Sequence, residues 1–357
     1  MFPPHLPPPS CDLETHRRLS RLKTLLAAAI FGLVAGMSGA SMILGWIWPG
    51  YGGGDVWSVS QTRTTLTRSQ LEDKIQKEMA DRVVAVYSQE TLQGGLSIFD
   101  PADKLGDAVI ISSDGYLAMM RPRQDGSWKN WRVLSADGSV YRLEKIMTDS
   151  RANLLYLKIA VGTGAEDLKN TVALKVVSFT EKITVLDELY ALEENNWRYG
   201  WVQNEVPVRG NHLDTAPSVT YRLSQNFAAG AVVINGQGRL VGFIGGDGTL
   251  LPGYHVSRLL AGILSAGTVR YPSLGVEGAY SNSQKLSWKG EPLTGFSVSK
   301  VTAKKSKVLR GDVITEINGY VASADNLWYN IFGKDTARLK IWRAGKILEV
   351  DQPVINL

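Results

Sequence analysis

The chain has 357 residues, 44% of them hydrophobic and 20% charged, enough to bury the cores of two or three domains, which excludes a disordered protein. Its formal charge is +5, but residues 1–48 hold four basic and two acidic residues, leaving 35 against 32 for the rest, too dispersed an excess to point to nucleic acid. Cys11 is the only cysteine, so no intramolecular disulfide can form, and the four histidines (His5, His16, His212, His255) stand in no metal-ligating spacing; neither metal nor cofactor is expected.

The N-terminus opens with a proline-rich tract, Pro3 to Pro9, which cannot be helical and reads as a tail. Thr24 to Trp48 then runs 25 residues without a charge, about 37 Å as a helix and longer than the ~30 Å apolar core of a bilayer. Arg17, Arg18, Arg21 and Lys23 precede this span and the next basic residue is Arg63, which predicts a cytoplasmic N-terminus and an exported body. Two readings stay open: a retained signal-anchor, favoured because the apolar run continues, or cleavage near Ser38-Gly39-Ala40. A linker follows over residues 49–65, with Gly52-Gly53-Gly54. Leu71, Ile75 and Met79 then recur at helical spacing in Thr67 to Ala80, with Thr67 and Gln70 as a capping box.

From Arg82 to about Ala266 the pattern changes to short apolar segments between turn signals. Strands are predicted at 83–88, 108–112, 116–120, 140–147, 154–160, 173–178, 183–189 and 218–223. Two more, AVVI and RLVGFI, are joined by a tight Asn235-Gly236-Gln237-Gly238 turn. So many strands without helical crossovers predict a mainly β domain built as closed or paired barrels.

Four stretches here resemble trypsin-like serine proteases of the HtrA type. FAAGAVVINGQGRLVGF resembles the run G-N-S-G-G-P-L-V-N-x-x-G-x-V-I-G that carries the attacking serine, and in its register Ala229 stands at the nucleophile, Phe227 at the oxyanion-hole glycine and Val232 at the proline. AVIISSDGYLAMM resembles G-V-I-I-S-x-D-G-Y-I-L-T-N-N-H-V, which puts Met119, Met120, Arg121 and Pro122 where the histidine should be; no histidine occurs between His16 and His212. DSRANLLYLKI resembles D-P-x-T-D-L-A-V-L-K-I, with Asn153 at the catalytic aspartate, and GYHVSRLL resembles the stretch that closes the second barrel. The chemistry needs a hydroxyl, an imidazole to take its proton and a carboxylate to orient the imidazole. The resemblance therefore implies the scaffold with a degenerate triad at Pro122, Asn153 and Ala229. His212, Asp214 and Ser218 lie close in NHLDTAPS, but the segment reads as a solvated irregular loop rather than as a substitute triad.

From about Tyr271 the chain resembles a PDZ domain of the HtrA kind. YPSLGVEG, GFSVSKV and VLRGDVITEINGYVASADNLW follow that pattern in order, and TARLKIWRAGKILEV supplies a closing hairpin at Ala344-Gly345. Such domains bind extended peptides by adding a strand to a sheet edge. The resemblance implies Leu274, Gly275 and Val276 as the carboxylate-binding loop and its strand, and Leu327 and Ile331 as the wall of the groove, on a helix capped by Ser323.

The expected fold class is thus mainly β, a trypsin-like double β-barrel followed by a PDZ domain, with an N-terminal transmembrane helix. The expected domains are a cytoplasmic tail (1–23), signal-anchor (24–48), linker (49–65), trypsin-like domain (66–268) and PDZ domain (269–357). The expected function is that of a membrane-anchored, inactive HtrA-like protein, periplasmic or extracytoplasmic, that binds protein C-termini or exposed peptides, alone or assembled with copies of itself or active relatives. The alternatives are a divergent serine endopeptidase and a scaffold without a peptide ligand.

Overall fold

Several of the apolar runs that predict strands are buried on both faces, because they serve two cores at once. In the computed structural model, which describes residues 68–123, 127–160, 174–281, 285–323 and 331–357, the strand Tyr116–Met120 is buried at every position. Leu117 and Met119 point into a barrel interior, while Tyr116, Ala118 and Met120 point outward into a larger apolar cluster shared with the second barrel. Side chains alternate across a strand, so a continuous apolar run means a layer on each side.

The first barrel closes through β1 (Val83–Tyr87), β2 (Lys104–Ile110), β3 (Tyr116–Met120), β4 (Arg132–Leu134), β5 (Val140–Asp149) and β6 (Leu154–Ile159), in the order β1-β2-β3-β6-β5-β4. The second uses β7 (Glu188–Glu193), β8 (Asn196–Pro207), β10 (Val219–Leu223), β11 (Val232–Asn235), β12 (Leu240–Ile244) and β13 (Leu250–Pro252), and closes in the same cyclic order. Between β8 and β10 lies a two-residue strand, β9 (His212–Leu213), that belongs to neither barrel. Helix α1 (Arg68–Met79) lays Ile75 and Met79 into the shared cluster, with Leu71 at its edge.

Several expectations shift. No strand forms over 174–178, where only an isolated bridge joins Phe179 to Leu240. The strand expected at 183–189 begins only at Glu188, because the Asp187 carboxylate accepts the Thr184 N–H (2.7 Å) and hydroxyl (2.6 Å) and Leu186 takes a positive φ of 73°. The twelve-residue β8 and helix α2 (Tyr254–Ala266), which ends on Gly267 at φ 58°, were not expected. Among the described residues no helix is long and apolar enough to cross a membrane; the apolar run 24–48, the tail, the linker, Thr67 and Leu327 lie outside them.

The C-terminal region begins at β14 (Pro272–Ser273), paired with the chain end at β21 (Ile355–Asn356). Its main sheet runs β9, β15 (Val276–Tyr280), β16 (Phe296–Val301), β17 (Val313–Ile317), β19 (Thr336–Arg343), β20 (Lys346–Pro353), with β18 (Tyr320–Val321) beside β17. The β19–β20 hairpin turns at Ala344 and Gly345, both at positive φ (49° and 86°), the geometry of a tight two-residue turn.

Barrel closure leaves no room at Gly242, where a Cβ would lie 1.9 Å from the Leu251 carbonyl oxygen. We predict that Gly242→Ala, by forcing β12 and β13 apart, costs about 1–3 kcal/mol and lowers Tm by roughly 3–10 °C. A thermal melt that matches the parent chain refutes this account of closure.

Candidate functional site

One cleft of about 1050 Å³ is lined by both barrels, and it gathers Pro122, Asn153 and Ala229 on its walls. β3 delivers Arg121 and Pro122 at its end, and the turn before β6 delivers Asn153, whose carbonyl accepts the Arg121 N–H at 2.9 Å. Asn153 sits at φ 55°, a left-handed conformation that asparagine tolerates better than most residues. Its identity thus has a backbone reason apart from chemistry.

The turn carrying Ala229 is held by its own amides. Gly230, at φ 91°, donates its N–H to the Ile244 carbonyl (2.8 Å), and Ala231 donates to Ala228 (3.1 Å). The Ala228 N–H donates to the carboxylate of Glu193, which also pairs with the guanidinium of Arg198. Phe227 fills the second barrel's core, with the Arg198 guanidinium 5.7 Å from its ring. Sequence reasoning missed Glu193, because nothing in its local pattern ties it to a turn 35 residues away. Among the described residues that line the cleft none is serine, threonine, cysteine or histidine. An acyl-transfer centre would need a nucleophile and a base in contact, and donors aimed at a developing oxyanion; here a carboxylate already occupies a donor of this turn.

Both histidines among the described residues lie elsewhere. His255, on α2, is fully buried, with Nε2 3.0 Å from the Tyr271 hydroxyl. That hydroxyl donates to the Asp149 carboxylate (2.7 and 2.8 Å), which also takes the N–H groups of Arg151 and Ala152. Burial alone would raise the Asp149 carboxyl, but its hydrogen bonds to His255 and Tyr271 outweigh that and hold it below its ordinary value. Burial lowers the pKa of His255, against the pull of Asp149. The cluster ties β5, α2 and the segment leading to β14, and it is closed to substrate.

His212 lies in β9, stacked on Tyr280 (centroids 5.9 Å apart) and edge-on to Phe296; burial lowers its pKa. The solvated loop expected around it is instead tightly packed, with Asp214 and Thr215 fully buried. The Asp214 carboxylate accepts the Ser273 hydroxyl and the Leu274 N–H, each at 2.6 Å. Burial pushes this carboxyl up to about 7, and its neutral donors recover only part of the shift.

Leu274, Val276 and Ile331 bury their side chains completely in one core. Gly275, at φ 74°, packs so closely that a Cβ would lie 2.3 Å from that of Ala303, and its carbonyl accepts the N–H groups of Thr302 and Ala303. Leu327 lies outside the described residues.

No family model matches the chain, and no curated protein matches it. Solved structures do. An HtrA-type protease AlgW with decapeptide aligns at TM-score 0.51 and 16% identity, over 80% of this chain and 98% of that chain. AlgW with tripeptide gives 0.50 and 16%, over 80% and 97%, and a serine endoprotease from Yersinia pestis gives 0.48 and 17%, over 80% and 98%. The chain therefore has an HtrA-like, trypsin-like fold of two β-barrels.

The Asp149 cluster yields a signed prediction. A depressed carboxyl contributes stability that is present above its ordinary pKa and lost as pH falls through the folded value. Tyr271→Phe removes a donor from a buried carboxylate and should cost about 1–3 kcal/mol at pH 7. In urea unfolding the gap between parent and variant should narrow below about pH 4; a gap independent of pH would show that Tyr271 acts by packing alone.

Proposed function

We propose that this chain is a membrane-anchored HtrA-like protein that does not cleave peptide bonds at its barrel cleft. On this reading it recognises protein C-termini or exposed peptide segments through a C-terminal domain of PDZ type. Residues 24–48 hold it in the membrane, and its body works in the cell envelope as an adaptor, regulator or quality-control factor. The observation that carries the reading is the composition of the cleft, where Pro122, Asn153 and Ala229 meet and no described lining residue is a serine, threonine, cysteine or histidine. The fold likeness supports the placing of that cleft, and the motif order from Tyr271 onward supports the second domain.

A further reading, a scaffold that binds no peptide, is favoured by one observation. β15, the strand that would receive a peptide, already has β9 on that edge.

Fluorophosphonate labelling of the full-length chain tests inactivity. We expect no labelling for the parent, and none for Ala229→Ser, since a serine without an imidazole loses about a million-fold in rate. Stoichiometric labelling of the parent would establish the divergent-endopeptidase alternative. Peptide arrays with free and amidated C-termini test recognition; binding should require the free carboxylate.

A further inference from the structure

The segment that leaves the second barrel between β8 and β10 enters the C-terminal sheet as its edge strand. β9 lies antiparallel on β15, with His212 opposite Gly278 and Leu213 opposite Glu277. Asp214 continues the pairing by donating its N–H to the Val276 carbonyl at 3.2 Å. Its carboxylate then reaches the turn before β15, where one oxygen accepts the Leu274 N–H and the other the Ser273 hydroxyl. The Tyr280 hydroxyl donates to the Asp214 carbonyl at 2.9 Å. The segment therefore runs toward the turn, pairs by its backbone and delivers a carboxylate to a main-chain amide. An extended ligand captured by strand addition, with its terminal carboxylate held by the turn, makes the same set of contacts.

We propose that residues 210–215 are an internal ligand occupying the peptide site of the C-terminal domain, with the Asp214 side chain standing in for a terminal carboxylate. The site's external ligand is then an extended peptide with a free C-terminus that must displace this strand. The inference rests on the peptide-binding reading above and adds the state of that site. Two features make the segment exchangeable rather than a fixed part of the sheet. It pairs with β15 over only two strand residues, and Gly210 at φ 86° stands just before it as a point where the chain can turn away. The buried carboxyl meets only neutral donors, so its charged form is held less firmly than a paired one. A tethered ligand acts at an effective concentration of about a millimolar. For a tethered strand with an intrinsic Kd of tens of micromolar, any external peptide is therefore weakened about tenfold or more by the occupied edge.

The test uses the full-length chain and a fluorescein-labelled probe, Val-Arg-Gly-Asn-His-Leu-Asp, copying residues 208–214, with free and amidated C-termini. Asp214→Ala should bind the free-acid probe about tenfold tighter than the parent. A second variant, with Cys11→Ser, carries Leu213→Cys and Glu277→Cys, which face each other across the strand pair. When oxidised it should bind no probe, and reduction should restore the parent's affinity. Hydrogen exchange supplies a readout independent of any ligand: amides of 212–214 and Leu274 should be protected in the parent and open in Asp214→Ala. Protection that survives the substitution, or probe binding unchanged in both the opened and the locked chain, overturns the internal-ligand assignment. Protection lost without any probe binding to the opened chain sinks the peptide-binding reading beneath it.

Discussion

A carboxylate taken out of water costs several kcal/mol unless donors meet it, and this structure buries two that both take donors from one short stretch, Tyr271 to Leu274. Asp149, from the first barrel, takes the Tyr271 hydroxyl; Asp214, from a loop of the second, takes the Ser273 hydroxyl and the Leu274 N–H. The stretch between helix α2 and the C-terminal sheet is thereby pinned to both barrels. The chain end adds to the same place, with Tyr271 and Leu357 exchanging backbone hydrogen bonds at 2.9 and 3.0 Å. The two buried carboxyls fall on opposite sides of one balance. At Asp149 burial is outweighed by the hydrogen bonds to His255 and Tyr271 and the carboxyl stays below its ordinary pKa, whereas at Asp214 burial outweighs the hydrogen bonds and pushes it up to about 7.

The cleft separates what a fold requires from what a reaction requires. Turns are held by backbone geometry: Asn153 at φ 55°, Gly230 at φ 91°, and Asn235 accepting the N–H groups of Gln237 and Arg239 at 3.0 Å each. Each of these positions is explained by conformation or hydrogen bonding. No such constraint calls for a hydroxyl, a thiol or an imidazole, and none stands among the described residues of the cleft. Glu193 sets the charge beside this turn. A carboxylate that accepts the Ala228 N–H and pairs with Arg198 places negative charge beside the turn where acyl-transfer chemistry would have to stabilise more of it.

Most of the barrel scaffold was legible in the sequence, because a period-2 apolar pattern bounded by turn residues is a local property. β1, β3, β6, β11 and β12 fall where those patterns lie. β8 escaped because it is an amphipathic strand rich in polar residues, Asn196 to Pro207, whose pairing with β7 is set by the Glu194-Asn195 turn at positive φ. The reading of 183–189 placed the strand too early, since Asp187 closes a turn on Thr184 that no hydrophobic count reveals. The gathering of Pro122, Asn153 and Ala229 came from family resemblance rather than from periodicity. The loop around His212 read as solvated because its residues are polar and lack alternation; its burial depends on Ser273 and Leu274, some sixty residues away, which no local window contains.

That long-range burial also restricts what can replace the segment. With Asp214 withdrawn, the Leu274 N–H and the Ser273 hydroxyl lose their acceptor in a place where both residues are fully buried, and each unsatisfied group costs about 1–3 kcal/mol. A displacing strand that pairs with β15 but ends in a neutral amide recovers the backbone bonds and leaves at least part of that cost standing. A strand ending in a carboxylate recovers both. On the proposed reading, selection among ligands at this edge would rest less on side-chain pockets, since Leu274, Val276 and Ile331 are already enclosed in the core, than on whether the incoming chain supplies two acceptor oxygens at the turn.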